Sequence, residues 1–447
     1  MIKRGANIVA RRLVVGMDKP VADPTMLGYT GSMSAPRTRI RVGDVEDGPA
    51  VSALLAGLFH HPAGRDTAQT LEIERAVVEP ERTLVVEDAG TIVGFAAAYT
   101  RELTVPGATV PAAHVTLVGV APTHRRQGLL TAMMHRQLRE LAAAGDEPIA
   151  VLWASETAIY PRFGYGPAAQ RLRMEIMSRE VRPPAPASAD SPGRLRTVSP
   201  TDAVADLAAV YERLRGQRTG WSSRDGDWWR LVLADVDGAD GATDLRGVVY
   251  ETPDGPTGYA LWRTVDRWDR HGPDAVVRVR EVVAADPAAY AELWRFLLTL
   301  DLTRTVTVQF AAVDEPLQYL VGEPRRLGSS LADALWVRIV DLPAALAART
   351  YPTAVDVVLE VTDPLLPANT GRWRLSADPY GPARCVATDD PADLTCPVRD
   401  LGAAYLGATS LAVLAAAGSV RELTPGALRA AATAFGWHRL PAPTETF

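Results

Sequence analysis

Along the chain, short β-branched runs alternate with stretches that repeat an apolar residue every three or four positions, a pattern that predicts a mixed α/β chain. Thr38–Val42 reads as a strand and Asp47–Leu58 as a helix. Thr83–Glu87 and Ile92–Thr100 are two strand-like runs separated by Asp88-Ala89-Gly90, whose chemistry is that of a hairpin turn. His114–Val120 is a further strand, leading through Ala121-Pro122-Thr123 into a helix with Leu130, Met133, Met134, Leu138 and Leu141 on one face. Another strand, Ile149–Trp153, precedes Ala154-Ser155-Glu156 and an aromatic segment from Ile159 to Gly166. Arg182–Gly193, rich in Pro, Ala and Ser, reads as a linker.

After that linker the same order returns. Leu195–Val198 is strand-like and Asp202–Arg215 helix-like; Gly247–Glu251, a Thr252-Pro253-Asp254-Gly255 turn and Thr257–Val265 form a second hairpin. Val276–Val283 then leads into a helix, Ala288–Leu300. From about residue 343 the pattern changes to a helix at Leu342–Arg349, strands near Val357–Val361 and Arg372–Leu375, and helices at Asp400–Leu406 and Ser410–Ala417. The expected organisation is thus an α/β repeat over residues 33–181 and 194–342, then an α+β domain over 343–447, ending in a Pro-interrupted tail that cannot be helical.

A length of 447 residues agrees with several cores rather than one. A 47% hydrophobic and 22% charged composition is that of a soluble globular protein. The net charge of −6, with no long basic block, removes nucleic acid from the expected partners and favours a cationic small molecule or peptide. Cys385 and Cys396 are too few for a disulfide framework, and the seven histidines lack metal-ligand spacing, so no metal is expected. That usage implies a reducing cytoplasm, with secretion left open, and no apolar run is long enough to span a membrane. Lys3 and Lys19 are the only lysines, and Gly31-Ser32-Met33 resembles a cloning scar; residues 1–32 read as a tag or an over-annotated start, with a basic targeting leader as the alternative.

The sharpest chemical signal lies at the strand-to-helix junction from Val118 to Thr131. A helix N-terminus presents unpaired N–H groups and a favourable dipole, Gly128 lets a pyrophosphate approach the backbone, and Arg125 or Arg126 adds charge. The strand end Val118-Gly119-Val120 offers backbone to an extended, amide-rich ligand. The same arginines would also serve as a solvated cap. The equivalent stretch of the second copy, Ala284-Ala285-Asp286-Pro287, has neither the arginine pair nor the glycine, so that copy is expected to lack a cofactor site.

Arg125-x-x-Gly128-x-Leu130 resembles motif A of the GNAT N-acetyltransferases, departing from it at the last position. Ala121–Leu130 and Ala154–Pro167, with Tyr160-Pro161-Arg162-Phe163-Gly164-Tyr165-Gly166-Pro167, resemble the enhanced intracellular survival (Eis) acetyltransferases of actinobacteria, as do Asp333–Arg349 and Tyr405-Leu406-Gly407. The resemblance implies tandem GNAT folds, a sterol-carrier-like domain and a homohexamer. It implies acetyl-CoA as cosubstrate, held by Val118, Gly119, Val120, Arg125, Arg126, Gln127, Gly128, Leu129, Leu130, Thr131, Ser155 and Glu156. It further implies Tyr160 as general acid and the carboxylate of Phe447 as general base, acting on aminoglycoside-like polyamines or lysine side chains.

Departures from the family bear on the substrate. Trp153 stands where aminoglycoside-modifying members have a histidine, the first helix ends in Phe59-His60-His61, and the tail keeps only Glu445 as a nearby acid. Glu46, Asp47, Asp227 and Trp228-Trp229 are candidates for a cation-accepting pocket, although charges of this kind are often surface and paired tryptophans often core. The competing function is an acyl-CoA sensor or lipid carrier without catalysis.

Overall fold

The computed structural model describes residues 38–60, 68–185, 193–235 and 241–447; residues 1–32 and most of the expected linker lie outside these. The first part of the chain supplies β1 (Thr38–Val42), β2 (Thr83–Asp88), β3 (Thr91–Val105), β4 (Ala108–Val120), β5 (Ile149–Trp153), β6 (Gly166–Pro167) and β7 (Gln170–Met177). Its helices are α1 (Gly48–Phe59), α2 (Ala68–Val77) and α3 (Leu129–Ala144). The repeat supplies β8 (Arg194–Val198), β9 (Arg246–Thr252), β10 (Gly255–Val265), the ribbon β11 (Trp268–Asp269) and β12 (Gly272–Pro273), β13 (Ala275–Ala284) and β14 (Thr303–Ala311). It ends with β15 (Ser330–Asp333) and β16 (Leu335–Ile339), and carries α4 (Val204–Arg215), α5 (Gly226–Ala234), α6 (Pro287–Leu298) and the single turn α7 (Leu317–Leu320).

Turn chemistry fixes the hairpins. Ala89 and Gly90 both take positive φ between β2 and β3, as a tight two-residue turn demands. Pro106-Gly107, with Gly107 at φ +70°, joins β3 to β4. That second hairpin extends both strands well beyond the expected Ile92–Thr100 and His114–Val120. The extension breaks the apolar pattern with Arg101, Glu102 and Thr104, yet Arg101 and Thr104 are buried because chain from the second repeat covers them: the Thr104 N–H donates to the Trp221 carbonyl at 2.8 Å and Gly220 donates back to Thr104 at 2.8 Å.

Two seven-stranded sheets result, ordered β1-β2-β3-β4-β5-β16-β6 and β15-β7-β14-β13-β10-β9-β8. Each takes a strand from the other's stretch of sequence: β16 pairs antiparallel with β5, and β7 pairs antiparallel with β14. A linear division of the chain at 181–194 is therefore crossed twice by the sheets. Each repeat also has one parallel pair with a crossover helix, α3 between β4 and β5 and α6 between β13 and β14.

The third part is a five-stranded sheet in which β17 (Val355–Thr362) lies between β18 (Gly371–Ala377) and β20 (Leu394–Pro397), with β19 (Ala383–Ala387) and β21 (Arg421–Glu422) at the edges. Helices α8 (Leu342–Ala348), α9 (Val398–Ala404), α10 (Leu411–Ala416) and α11 (Ala427–Phe435) accompany it. It docks on the first sheet through α9. A Cβ on Gly402 would lie 2.4 Å from the Val337 carbonyl oxygen, and one on Gly166 would lie 2.1 Å from that of Arg399, so both glycines are required by close backbone approach. From Trp437 onward the chain is irregular and runs back to the first two sheets.

Candidate active site

At Leu117, φ is +53° and the register against β3 slips by one residue, a bulge that bends β4. Pairing of β4 with β5 is confined to Ala112–His114 against Ile149–Val151. Beyond that point the two strands part, so the β5-facing edge of Val118, Gly119 and Val120 has no β5 partner and an extended amide chain fits there. Helix α3 starts immediately after Gly128, which caps it at φ +80° without a side-chain hydrogen bond. A Cβ at Gly128 would meet nothing within 4 Å, so the helix start is open, and Arg125, Arg126 and Gln127 around it are exposed. This geometry suits a pyrophosphate. Gly119 has a structural reason of its own, because a Cβ there would strike Leu58 of α1 at 2.5 Å.

The second repeat lacks such an opening. At the start of α6 the Asp286 carboxylate accepts from the Ala289 N–H at 2.8 Å, with Pro287 in the first turn. An internal anion already occupies the position that a phosphate would take.

Tyr160 begins a short 3-10 turn, Tyr160–Phe163, closed by Gly164 at φ +84°. The Tyr160 side chain is buried in the core cluster that also holds Phe163, Met134 and Trp336, with its ring edge-on to Tyr165 at 5.9 Å. Burial, reinforced by the charge of Glu156, pushes its hydroxyl up to about 12, so the phenol holds its proton at neutral pH. Glu156 itself is exposed. Tyr160 lines a cavity of about 1070 Å³ together with Val118, Ser155, Trp153 and the C-terminal residue Phe447. Gly119, Val120, Arg125–Thr131 and Glu156 lie outside that lining, on the bulged strand end, the helix start and the loop after β5.

Phe447 reaches the cavity because the tail is clamped between the first two sheets. The Thr116 hydroxyl donates to its terminal oxygen at 2.7 Å, and its ring stands edge-on to His114 at 4.6 Å. Arg280 donates to the Thr444 carbonyl at 3.1 Å, and the Ala442 N–H to Thr219 at 2.9 Å. Glu445 is bonded by Arg101 at 2.7 Å and Arg224 at 2.8 Å. Arg224 also holds Glu281 at 2.8 Å, and the Tyr259 hydroxyl donates to Glu281 at 2.8 Å. Burial alone would raise the Glu445 carboxyl, but Arg224 and Arg101 hold it down at about 2. No local motif marks this clamp; its one trace is the run of polar residues, Arg101 among them, that interrupts the end of β3.

Glu445 is therefore tied up as a structural anion and is not available to bind a cationic substrate. Of the other candidates for a cation pocket, Asp47 and Trp228 do line the cavity, whereas Glu46, Asp227 and Trp229 do not. Asp47 accepts two hydrogen bonds from Arg41, each 2.7 Å. Asp227 pairs with Arg230 on the surface, and Trp229 belongs to the core of the second repeat. His61 lies outside the described residues. Among the described residues no group of three or more His, Cys, Asp or Glu could hold a metal, and no helix is long and apolar enough to cross a membrane.

Comparison with known proteins agrees with this architecture. Residues 39–168 and 220–339 match acetyltransferase (GNAT) domain families, and residues 342–442 match a sterol carrier protein domain. The fold and the bulged-strand site define a GNAT-type N-acetyltransferase. An uncharacterised N-acetyltransferase of Streptomyces avermitilis is 46% identical over 83% of this chain and 90% of its own length. The N-acetyltransferase Eis of Mycobacterium tuberculosis is 36% identical over 87% of this chain and 94% of its own. Eis1 of Mycobacterium abscessus superposes with a TM-score of 0.77 at 34% identity, covering 92% of this chain and all of that one. The chain belongs to the Eis family of N-acetyltransferases. A GCN5-related N-acetyltransferase of Anabaena variabilis shares the fold, with a TM-score of 0.78 at 22% identity over 92% of this chain.

Proposed function

We propose that the protein acetylates a primary amine by direct transfer from acetyl-CoA, with Tyr160 as general acid and the Phe447 carboxylate as general base. The observation that carries this reading is that Tyr160 of the first repeat and Phe447 of the C-terminal tail line one cavity beside Val118 and Ser155. An ammonium must lose a proton before it can attack, and the departing thiolate must gain one. The acceptor gives its proton to the Phe447 carboxylate, directly or through water, and its lone pair forms the N–C bond at the thioester carbonyl. The C–S bond breaks as the Tyr160 hydroxyl protonates the sulfur, and the proton that the acylated nitrogen must still lose returns through solvent to the Tyr160 phenolate.

The cofactor residues in this reading are Val118–Val120 for the pantetheine amides, Arg125–Thr131 for the pyrophosphate, and Ser155 and Glu156 at the end of β5. The uncapped start of α3 and the parting of β4 from β5 support the assignment. The family resemblance suggests polyamines of the aminoglycoside type or lysine side chains as the primary-amine acceptors. A cytoplasmic homohexamer belongs to the same reading and rests on the family resemblance alone.

The alternative, an acyl-CoA sensor or lipid carrier, has no use for a chain terminus held by hydrogen bonds and ion pairs in a cavity. The test is thiol release from acetyl-CoA with a panel of amines, by the native chain and by a chain extended several residues beyond Phe447. Turnover that is lost on extension, with acetyl-CoA affinity retained, supports the mechanism. Equal turnover by the extended chain removes the terminal carboxylate from it.

A further inference from the structure

The cavity that holds Tyr160 and Phe447 is walled chiefly by rings and branched aliphatic groups. Apart from those two residues, Phe59, Phe95, Tyr99, Trp153, Trp228 and Phe310 line it, in a chain that is only 6% aromatic. A chamber of about 1070 Å³ has room for a ring-bearing acceptor beside the end of a pantetheine arm.

Its charges point the same way. A polycation requires several carboxylates with unspent capacity, because each buried ammonium must find a partner. Asp47 is spent on Arg41, Asp235 on Arg263 at 2.8 Å and Arg280 at 3.3 Å, and Glu445 on Arg101 and Arg224. Glu74 has an interaction of its own, and Asp44 is an exposed rim residue that caps the turn before α1. Arg75, Arg267, Arg278 and Arg280 also line the cavity.

Three of the lining rings already face a guanidinium. The Arg101 guanidinium lies 3.8 Å from the centre of the Trp228 ring, and Arg171 lies 5.0 Å from that of Trp153 and 4.5 Å from that of Phe310. A ring already polarised by one cation makes a poor cage for a second and serves instead as an apolar wall.

Resting on the transferase reading above, we infer that the acceptor is an arylalkylamine: a single primary amine, directed at the Phe447 carboxylate, on an apolar ring-bearing body. Within the primary-amine reading, this replaces the polyamine and lysine acceptors that the family resemblance suggests. It follows from the spent carboxylates and from the three rings, Trp153, Trp228 and Phe310, that already face a guanidinium.

The test is kcat/KM for tryptamine and 2-phenylethylamine beside spermidine and kanamycin, at one ionic strength, with the full chain. Arylalkylamines should exceed the polycations at least tenfold; parity or a preference for polycations overturns the inference. Phe310→Ala should lower the ratio of kcat/KM for tryptamine over that for ethylamine at least fivefold, with acetyl-CoA affinity measured by calorimetry to establish that the variant is folded. An unchanged ratio in a folded variant also overturns it. Acetyl-CoA binding without turnover of any amine overturns the transferase reading itself and is distinguishable from a wrong preference among working acceptors.

Discussion

The guanidinium of Arg101, in the third strand of the first sheet, and the carboxylate of Glu445, two residues from the chain terminus, meet at 2.7 Å with both side chains almost wholly buried. Arg224 of the second repeat completes the junction. One glutamate thereby ties the first repeat, the second repeat and the tail that carries the terminal carboxylate. Removing one partner of a buried ion pair leaves the others uncompensated.

Glu445→Gln should therefore cost about 3–5 kcal/mol of stability and reduce acetyl transfer more than acetyl-CoA binding. Chemical denaturation and steady-state kinetics check both. Because the folded carboxyl sits at about 2, below its ordinary 4.5, its contribution is complete above pH 4.5 and disappears as pH falls toward 2. The variant should accordingly lose the part of acid unfolding that lies in that window. An unchanged acid profile would contradict the clamp.

Tyr160→Phe removes the proposed proton donor and keeps the ring that stands edge-on to Tyr165. Turnover should fall by about 10²–10⁴-fold, with acetyl-CoA affinity and melting temperature close to those of the parent. Retained turnover would show that the thiolate leaves without help from this hydroxyl.

Gly128→Asp would put a carboxylate at the start of α3, as Asp286 already does for α6. Asp tolerates the left-handed conformation, at a cost of about 1–2 kcal/mol. Acetyl-CoA affinity by calorimetry should drop at least tenfold through repulsion of the pyrophosphate. Unaltered affinity would move the phosphate site away from this helix.

His114 is buried beside the Phe447 ring, with Nδ1 2.9 Å from the Ala112 carbonyl and Nε2 2.8 Å from the Ser222 hydroxyl. Burial, with the nearby Arg101 charge, lowers its pKa to about 3. The folded state thus keeps it neutral while the unfolded chain protonates near pH 6.5, and stability should be full above that pH and decline steadily below it. His114→Gln should flatten the decline in melting temperature between pH 6.5 and 5. An equal slope would place the acid sensitivity elsewhere.

The alternation of apolar runs determined the repeated strand and helix order, the hairpin at Asp88-Ala89-Gly90 and the separate character of the last hundred residues, because these depend on local turn chemistry and on one buried face per element. The open start of α3 was legible in Arg125-x-x-Gly128 for the same reason: it is a property of a few adjacent residues. Tyr160 and Phe447 carry no local signal beyond the family resemblance, and their meeting in one cavity is a tertiary fact.

What no local pattern contains is pairing between distant segments. Strands β7 and β16 change sheets because the edge left free by one repeat accepts a strand from the other, a choice that periodicity cannot express. Arg101 interrupts the end of an apolar strand, and Glu445 looks like a solvated tail acid, until the two meet. The sequence by itself determined the two hairpins and the uncapped start of α3, through contacts among neighbours in the chain. Only the tertiary structure decided which carboxylates were spent on arginines and which chain end completes the cavity, because an ion pair depends on distance in space.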